Sequence, residues 1–281
     1  MGRITVRRPV AKLTVGEEPR RRIDTLAVEE PLEIRVAGAP LTITMRTPGH
    51  DVELAAGFLV SEGVVGAPAD FHSAVYCGDP AASRGVATYN VLDVGLAAGA
   101  RSLAAGATRN FYTTSSCGMC GKASIEAVRT VSRFDLRDDP VTVDVAQLTT
   151  FPDRLREQQA VFEKTGGLHA AALFDATSGD LLVLREDVGR HNAVDKVIGW
   201  ALLNDRLPLR GVVLQVSGRT SFELVQKAVM AGIPVLSAVS APSSLATELA
   251  DEAGLTLFGF VRGNHLNVYS QPQRVRQEVR T

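Results

Sequence analysis

The sequence predicts an α/β protein of two domains, the first of which has an α+β arrangement. Hydrophobic residues make up 45% of the 281 residues and charged residues 22%, enough for a packed core. Apolar residues alternate at a period of two near the start of the chain, which indicates half-buried strands. From Leu168 onward, short apolar runs alternate with helical patterns, as in a sheet covered by helices.

The first 22 residues are predicted to form a flexible basic arm ahead of the domains. Five arginines give the arm its charge: Arg7, Arg8, Arg20, Arg21 and Arg22. Short charged termini are commonly unstructured. The arm contains no apolar segment of the kind that a secretory signal requires.

Residues 23–150 are predicted to form the α+β domain. Two alternating runs, Leu32 to Val36 and Leu41 to Met45, indicate a hairpin. A helix is predicted from Asp51 to Ser61 and a strand from Tyr89 to Val94. The remaining predictions are a loop of small residues from Ala98 to Cys120, a helix from Lys122 to Val131 and a linker from Pro140 to Asp153.

Residues 151–281 are predicted to form the second domain, a mixed and largely parallel sheet with helices on both faces. The predicted strands are Leu168 to Phe174, Leu181 to Leu184, Gly211 to Val216, Ile233 to Ala238, Leu255 to Val261 and Leu266 to Tyr269. The predicted helices are His191 to Leu203, Ser221 to Ala231 and Leu245 to Ala253. A turn over Thr177 to Asp180 joins the first two strands.

Composition excludes several classes of function. Thirty basic residues face 31 acidic ones, for a net charge of −1, which argues against a general nucleic-acid-binding protein. Three cysteines cannot cross-link a secreted scaffold of this size. No run of about 18 apolar residues suggests a membrane span. We therefore expect a cytoplasmic protein with no nucleic-acid or membrane partner.

Cys117 and Cys120 form a CxxC motif among Ser, Thr and Gly residues. A structural zinc site would need two or more further ligands. Cys77 is the only other thiol, and the nearest histidines in sequence, His50 and His72, are not paired at a metal-ligand spacing. A thioredoxin-like motif normally follows a strand directly, whereas this one follows a long loop.

A nucleophilic thiolate is the third interpretation of the cysteine pair. The charge of Lys122 and the N-terminus of the predicted helix favour the thiolate, which is the form that attacks and carries sulfur. Gly118 and Gly121 allow the loop to reach a partner. The pair alone does not decide between a sulfur carrier and a dithiol oxidoreductase.

Four segments of the second domain follow strands and carry residues that suit an anionic ligand. They are residues 185–192, 217–223, 240–244 and 260–265. Ligands of open α/β sheets bind beyond the carboxyl ends of strands, where helix N-termini attract anions. Arg190, Arg219 and Arg262 can bind phosphate through two donors each.

An alternative assigns these loop residues to the scaffold. Thr220 and Glu223 have the spacing of a capping box, which predicts a helix start there. Asp187 and Glu223 could form ion pairs with the arginines. His169 and His191 are either proton donors near a ligand or hydrogen-bonded scaffold residues.

Seven segments together resemble the FdhD/NarQ family of formate dehydrogenase accessory sulfurtransferases. They are Pro48 to Gly63, Phe111 to Ser124, Gly166 to Phe174, Arg185 to Gly199, Ser217 to Ala228, Ser240 to Ala250 and Gly259 to Tyr269. The CGMCG and GRHNAVDK motifs are the most specific of these. The resemblance implies a homodimer whose C-terminal part resembles the three-layer mixed sheet of cytidine deaminases.

The resemblance also implies a function. Members take persulfide sulfur from a cysteine desulfurase and pass it to the molybdenum or tungsten bis(molybdopterin guanine dinucleotide) cofactor, the acceptor substrate, before formate dehydrogenase receives it. Cys117 would be the persulfide-bearing catalytic residue and Cys120 its companion. By the same resemblance, the segment that would lie against the guanine dinucleotide end of the cofactor is Phe260, Val261, Arg262, Gly263, Asn264 and His265. The strand-end loops add the candidate cofactor-binding residues Arg190, His191, Arg219, Thr220 and Ser221.

Two further functions compete with sulfur transfer. A zinc deaminase would need an H-x-E or C-x-E motif and P-C-x-x-C, but no His here is followed two residues on by Glu, and Ser116 precedes Cys117. We therefore expect no permanently bound metal. A chaperone that only binds the cofactor would need the arginine loops and not the cysteines.

Overall fold

The N-terminal segment forms a hairpin rather than the predicted flexible arm. A computed structural model describes residues 3–77, 89–97 and 132–277. Strands β1 (Thr5–Lys12) and β2 (Arg20–Ala27) pair in antiparallel register. Strand β2 also contacts the helix Ala160–Thr165, so the hairpin is held against the body of the protein. Arginines dominate the composition of this segment, so its few β-branched residues do not give a clear strand pattern in the sequence.

A four-stranded sheet follows the hairpin. Its strands are β3 (Glu30–Val36), β4 (Ala39–Arg46), β5 (Phe71–Tyr76) and β6 (Val91–Leu96), in the order β4-β3-β6-β5. Helix α1 (Asp51–Ser61) packs on one face, where Leu32, Ile34 and Leu92 are buried. The predicted hairpin and helix are confirmed. Strand β5 was not predicted, because His72 and Ser73 interrupt its apolar alternation.

The predicted linker from Pro140 to Asp153 is wrong. It holds strand β7 (Val143–Asp144), helix α2 (Val145–Leu148) and the start of helix α3 (Phe151–Glu157), which α4 (Ala160–Thr165) follows. The Asp144 side chain accepts a hydrogen bond from the Gln147 N–H and begins α2. These helices are too short to show a helical period in the sequence.

The second sheet has six strands. They are β8 (His169–Asp175), β9 (Leu181–Asp187), β10 (Val212–Val216), β11 (Val235–Ala238), β12 (Thr256–Arg262) and β13 (His265–Ser270), in the order β13-β12-β11-β10-β8-β9. A short strand, β14 (Val275–Arg276), pairs with β7 outside this sheet.

Parallel pairing is confined to the centre of the six-stranded sheet, so the prediction of a largely parallel sheet is wrong. Only β10 with β11 and β11 with β12 are parallel among its pairs. The connection from β8 to β9 and that from β12 to β13 are too short for a crossover, and both pairs are antiparallel.

Helices cover both faces of the six-stranded sheet, as predicted. Helices α5 (Arg190–Leu203), α6 (Phe222–Met230) and α7 (Ser244–Ala253) pack on one face, and α3 packs on the other. The ring of Phe151 in α3 stacks on Phe174 in β8, with centroids 4.1 Å apart. Among the described residues, no helix combines the length and apolar character needed to cross a bilayer.

The two large sheets share one apolar core through the crossing of α1 and α5. A Cβ atom added to Gly57 of α1 would lie 1.8 Å from the Asp195 carbonyl oxygen. One added to Gly199 of α5 would lie 1.8 Å from the Glu53 carbonyl oxygen. Two glycines therefore let the helix backbones approach each other directly, and this contact fixes α5 against the first sheet.

Candidate functional site

Four strands bring the predicted ligand-binding loops to one edge of the six-stranded sheet. The parallel strands β10, β11 and β12 all end there. Strand β8 is antiparallel to β10, so it begins at the same edge, where its neighbour β9 ends. The Ser217 hydroxyl accepts a hydrogen bond of 2.9 Å from the Ala170 N–H across this edge. We call this region the carboxyl edge. It consists of residues 185–192, 217–223, 240–244 and 260–265, together with the start of β8.

The loops after β10, β11 and β12 contact one another through their backbones. The Thr220 N–H donates to the Ala241 carbonyl at 3.2 Å, and the Ser243 N–H donates to the Thr220 carbonyl at 3.0 Å. The Phe260 N–H donates to the Ser240 carbonyl at 3.3 Å. The three loops therefore form one continuous surface rather than separate segments.

Helix α6 begins one residue later than predicted. Its N-cap is Ser221, and Thr220 instead lies in a bridge to Pro242 of the neighbouring loop. The capping box of Thr220 and Glu223 is therefore wrong. The Thr220 hydroxyl is buried and has no hydrogen-bond partner among the described residues.

Phe260 has an uncommon backbone conformation at the end of β12. Its φ is +53°, in the left-handed region that non-glycine residues rarely adopt, and the register with β13 shifts between Gly259 and Arg262. The Phe260 side chain remains 37% exposed, and the Arg262 guanidinium lies 5.9 Å from the centre of its ring. Strained residues of this kind concentrate at ligand sites. This backbone conformation places the exposed Phe260 ring and the Arg262 guanidinium near each other.

The rest of the segment 260–265 divides between core and surface. Val261 is fully buried and packs in the apolar core, so its side chain is turned away from the edge. Gly263, with φ +55°, forms the turn to β13. Asn264 and His265 are exposed, and the Asn264 Oδ1 lies 3.2 Å from the His265 Nδ1.

Arg190, Arg219 and Arg262 form no ion pair with any carboxylate that the structure describes. Arg219 and Arg262 are exposed and Arg190 is half-buried. Arg262 donates through Nε to the Val239 carbonyl at 2.9 Å, which leaves its terminal nitrogens for other acceptors. The carboxyl edge therefore carries three arginine cations without an ion-pair partner among the described carboxylates, although Arg190 interacts electrostatically with Glu223.

His191 and His169 both stand at this edge as neutral rings at pH 7. Burial, helped by the charges of Lys227 and Arg190, lowers the pKa of His191 to about 4. Burial also lowers the pKa of His169, with Arg190 adding to the effect. The His191 Nε2 atom lies 3.3 Å from the Ser221 hydroxyl oxygen and 3.9 Å from a Glu223 carboxylate oxygen. Neither histidine is therefore in the protonated imidazolium form, the form that acts as a general acid, at neutral pH.

A buried ionic network lies directly behind the edge. Lys196 is paired with Asp187 at 2.7 Å, and its Nζ also donates to the Thr47 carbonyl at 3.0 Å. The Asp187 carboxylate accepts from the Gly189 N–H at 2.8 Å and from the Asn192 amide at 3.0 Å. Asp187 thus pairs with a lysine and not with the arginines. The network joins the start of α5 to the first sheet and positions Arg190 and His191.

A second buried ion pair, between Asp195 and Lys227, also supports α5. Asp195 directly precedes Lys196 in the GRHNAVDK motif. The Asp195 carboxylate accepts from Lys227 of α6 at 2.8 Å and from the Ser61 hydroxyl of α1 at 2.8 Å. Asp195, Lys196 and Lys227 were not predicted from the sequence as functional residues. Each lies on the otherwise apolar face of a predicted helix. That position is the signal in the sequence that indicates a buried ion pair, because charged residues are rarely buried unless they are paired.

Cys117 and Cys120 lie outside the described residues, as do the predicted loop of small residues and the predicted helix after it. Cys77 is a free, half-buried cysteine after β5. No group of three or more His, Cys, Asp or Glu residues that could hold a metal ion occurs in ranges 3–77, 89–97 and 132–277.

Comparison with known proteins decides the family. The model of the FdhD/NarQ family matches residues 27–276. The chain belongs to the FdhD/NarQ family. It is 62% identical over 272 residues to the sulfur carrier protein FdhD of Mycolicibacterium paratuberculosis, covering 97% of this chain and 99% of that one. It is 60% identical over 276 residues to the sulfur carrier protein FdhD of Streptomyces coelicolor, covering 98% and 97% of the two chains.

A solved structure of another protein shows the same fold. That protein, from Desulfotalea psychrophila, is provisionally named a formate dehydrogenase accessory protein. It superposes with a TM-score of 0.75 at 23% identity, over 98% of this chain and all of that one. The likeness confirms a mixed α/β fold with several sheets.

Proposed function

We propose that this FdhD/NarQ protein is a cytoplasmic sulfurtransferase. In this proposal Cys117 accepts sulfur from a cysteine desulfurase, and the protein passes it to the molybdenum or tungsten bis(molybdopterin guanine dinucleotide) cofactor destined for formate dehydrogenase. The relatives named as sulfur carriers match over nearly their whole length, which supports the transfer of this role. The proposal includes a homodimer and a cytidine-deaminase-like arrangement of the C-terminal part.

The unpaired arginines of the carboxyl edge carry the proposal. A guanine dinucleotide cofactor has several phosphate charges, and Arg190, Arg219 and Arg262 can each donate two hydrogen bonds to a phosphate. The N-terminus of α6 adds the positive end of its helix dipole at the same edge. Phe260 offers an exposed ring on which a planar group can stack.

The cysteines supply the sulfur chemistry in this proposal. The Cys117 thiolate attacks the outer sulfur of the donor's persulfide, so that an S–S bond forms on Cys117 and the donor leaves as a thiolate. This step is a thiol exchange without net oxidation. Release of the sulfur as sulfide requires two electrons, which Cys120 provides by attacking Cys117 and forming a disulfide. A cellular thiol must then reduce that disulfide.

Titration with GDP tests the arginine edge. We expect Arg219→Ala to weaken GDP binding by about 1.5–3 kcal/mol, the range for a hydrogen bond to a charged group. The matched control is Arg210→Ala, because exposed Arg210 precedes β10 at the opposite edge of the same sheet. Calorimetry that gives equal affinities for wild type and Arg219→Ala would remove this residue from the site.

Sulfur loading separates the proposal from a chaperone that only binds the cofactor. Mass spectrometry after incubation with a cysteine desulfurase and cysteine should show one added sulfur atom on the wild-type subunit. A protein that binds GDP at the arginine edge but never gains sulfur would instead be a chaperone.

A further inference from the structure

The β1–β2 hairpin carries a positive charge that the rest of the chain does not share. We call residues 5–27 the basic ribbon. It contains six basic and three acidic residues, a net charge of +3, whereas the whole chain carries −1 and the remainder of it therefore −4. Neither the carboxyl edge nor the cysteine motif includes these charges.

The distal part of the basic ribbon extends into solvent. Every residue from position 11 to position 23 is exposed, although the two strands stay paired over eight consecutive residues each. Eight residues of strand span roughly 25 Å. Between the strands, the Leu13 side chain is 72% exposed and that of Val15 is wholly exposed. A two-stranded ribbon is only marginally stable by itself in water, so a docked partner would stabilise this part of it.

One face of the ribbon collects four cations. Residues that are two apart on a strand, or directly opposite across the pair, share a face, and on this face they are Arg8, Lys12, Arg20 and Arg22. Lys12 lies directly opposite Arg20, and like charges in that arrangement destabilise a hairpin. Arg20 and Arg22 are paired with Glu17 and Asp24 at 3.2 and 2.6 Å, but Arg8 and Lys12 form no ion pair with any carboxylate in the described ranges. An acidic surface that covered this face would relieve the repulsion.

The root of the ribbon stands beside the carboxyl edge. Strand β2 contacts α4, and the Ala27 methyl at the end of β2 lies 3.9 Å from the position that a Cβ atom on Gly167 would take. Gly167 comes two residues before His169, the first residue of β8, and β8 begins at the carboxyl edge. A protein that took a ligand from this edge would therefore come next to the ribbon.

The composition of the ribbon fits a protein surface better than a nucleic acid. Protein interfaces combine arginine with apolar side chains, and the ribbon offers exposed Leu13, Val15 and Ile23 beside its cations. A nucleic acid is a uniform polyanion, which the net negative charge of the remaining chain would repel. The complement of the ribbon is therefore a protein patch rich in Asp and Glu.

We propose that the basic ribbon docks on an acidic surface of the formate dehydrogenase apoprotein that receives the cofactor from the carboxyl edge. The identity of this partner rests on the proposed function, whereas the acidic character of its surface follows from the ribbon. The charges steer the two proteins together and place the carboxyl edge against the receiving protein. Sulfur loading of the cysteines does not need the ribbon.

Lys12→Glu tests the docking without loss of the hairpin. The new carboxylate faces Arg20, so an ion pair replaces a like-charge pair and the ribbon stays folded. We expect binding of cofactor-free formate dehydrogenase, measured by surface plasmon resonance at low salt, to weaken by about fivefold, mainly through slower association. The matched control is Arg210→Glu, the same charge change at an exposed position on the opposite edge of the six-stranded sheet, which should bind as wild type does.

Mass spectrometry of sulfur loading separates this docking from the proposed function. Lys12→Glu should gain sulfur at the wild-type rate, and a wild type that never gains sulfur would contradict the proposed function, whatever the ribbon binds. Equal affinity of wild type and Lys12→Glu for the dehydrogenase, or no binding by either, would overturn the docking. Slower loading or loss of a dimer in Lys12→Glu, with dehydrogenase binding intact, would overturn it too and assign the ribbon to the desulfurase or to a second copy. Binding of duplex DNA that depends on Lys12, in place of the dehydrogenase, would also overturn it.

Discussion

At the scale of single residues, the motif Gly189 to Lys196 divides between surface and interior. Arg190 and His191 reach the carboxyl edge, whereas Asn192, Asp195 and Lys196 are buried. The sequence predicted the edge residues, because a helix start after a strand is recognisable locally. It did not predict the buried pairs, because their partners, such as Thr47 and Lys227, lie far away in the chain.

Stability should depend on pH through His191. Its folded pKa of about 4 lies below the usual 6.5, so the unfolded chain binds a proton first as the pH falls. Stability from this ring is therefore complete above pH 6.5 and is lost as the pH falls towards 4. We expect His191→Gln to reduce that loss by up to about 3 kcal/mol.

Urea unfolding at several pH values measures this effect. His72→Gln is the matched control, since the exposed His72 side chain on β5 contributes little to folding. His169 acts in the same direction as His191, so part of the pH dependence should persist in His191→Gln. If the free energy of unfolding of His191→Gln depended on pH as that of wild type does, the result would contradict the burial of this ring.

At the scale of elements, strands and helices with strong periodicity were predictable and short or charged ones were not. Helix α1 and the six strands of the second sheet were foreseen. The β1–β2 hairpin and helices α2 to α4 were missed, because their stability comes from contacts rather than from pattern. Strand β2 rests on α4, whose first N–H groups are capped by the Glu186 carboxylate at 2.9 and 2.7 Å.

Gly57→Ala tests the crossing of α1 and α5. Helix propensity alone favours alanine over glycine by about 1 kcal/mol. The new Cβ would lie 1.8 Å from the Asp195 carbonyl oxygen, so the helices must separate. We expect a net loss of about 1–3 kcal/mol of stability, the usual effect of overpacking.

Urea unfolding of wild type and Gly57→Ala measures the difference in their free energies of unfolding. Glu248→Ala, at an exposed position of α7, is the control for an alanine in a helix without a close neighbour. A Gly57→Ala protein more stable than wild type would show that the two helices do not touch as described.

At the scale of the whole molecule, two sheets joined through α1 and α5 support a single functional edge. The sequence predicted which loops form that edge, because the carboxyl ends of strands collect ligand-binding residues. It did not predict that the side chains of Gln159, Gln215 and Ser237 each bury a polar atom without a hydrogen-bond partner among the described residues. Gln159 lies between α3 and α4, Gln215 on β10 and Ser237 on β11, and nothing in a local pattern marks a polar residue as unpaired.

The central claim is that Cys117 carries sulfur, and the mass of the subunit after loading tests it most directly. Wild type and Cys77→Ser, incubated with a cysteine desulfurase and cysteine, should each gain one sulfur atom. Cys117→Ser should gain none, because a serine hydroxyl is barely ionised at neutral pH and cannot hold sulfane sulfur. Cys120→Ser should still load but release sulfur poorly. Sulfur loading by Cys117→Ser equal to that of wild type would contradict the account.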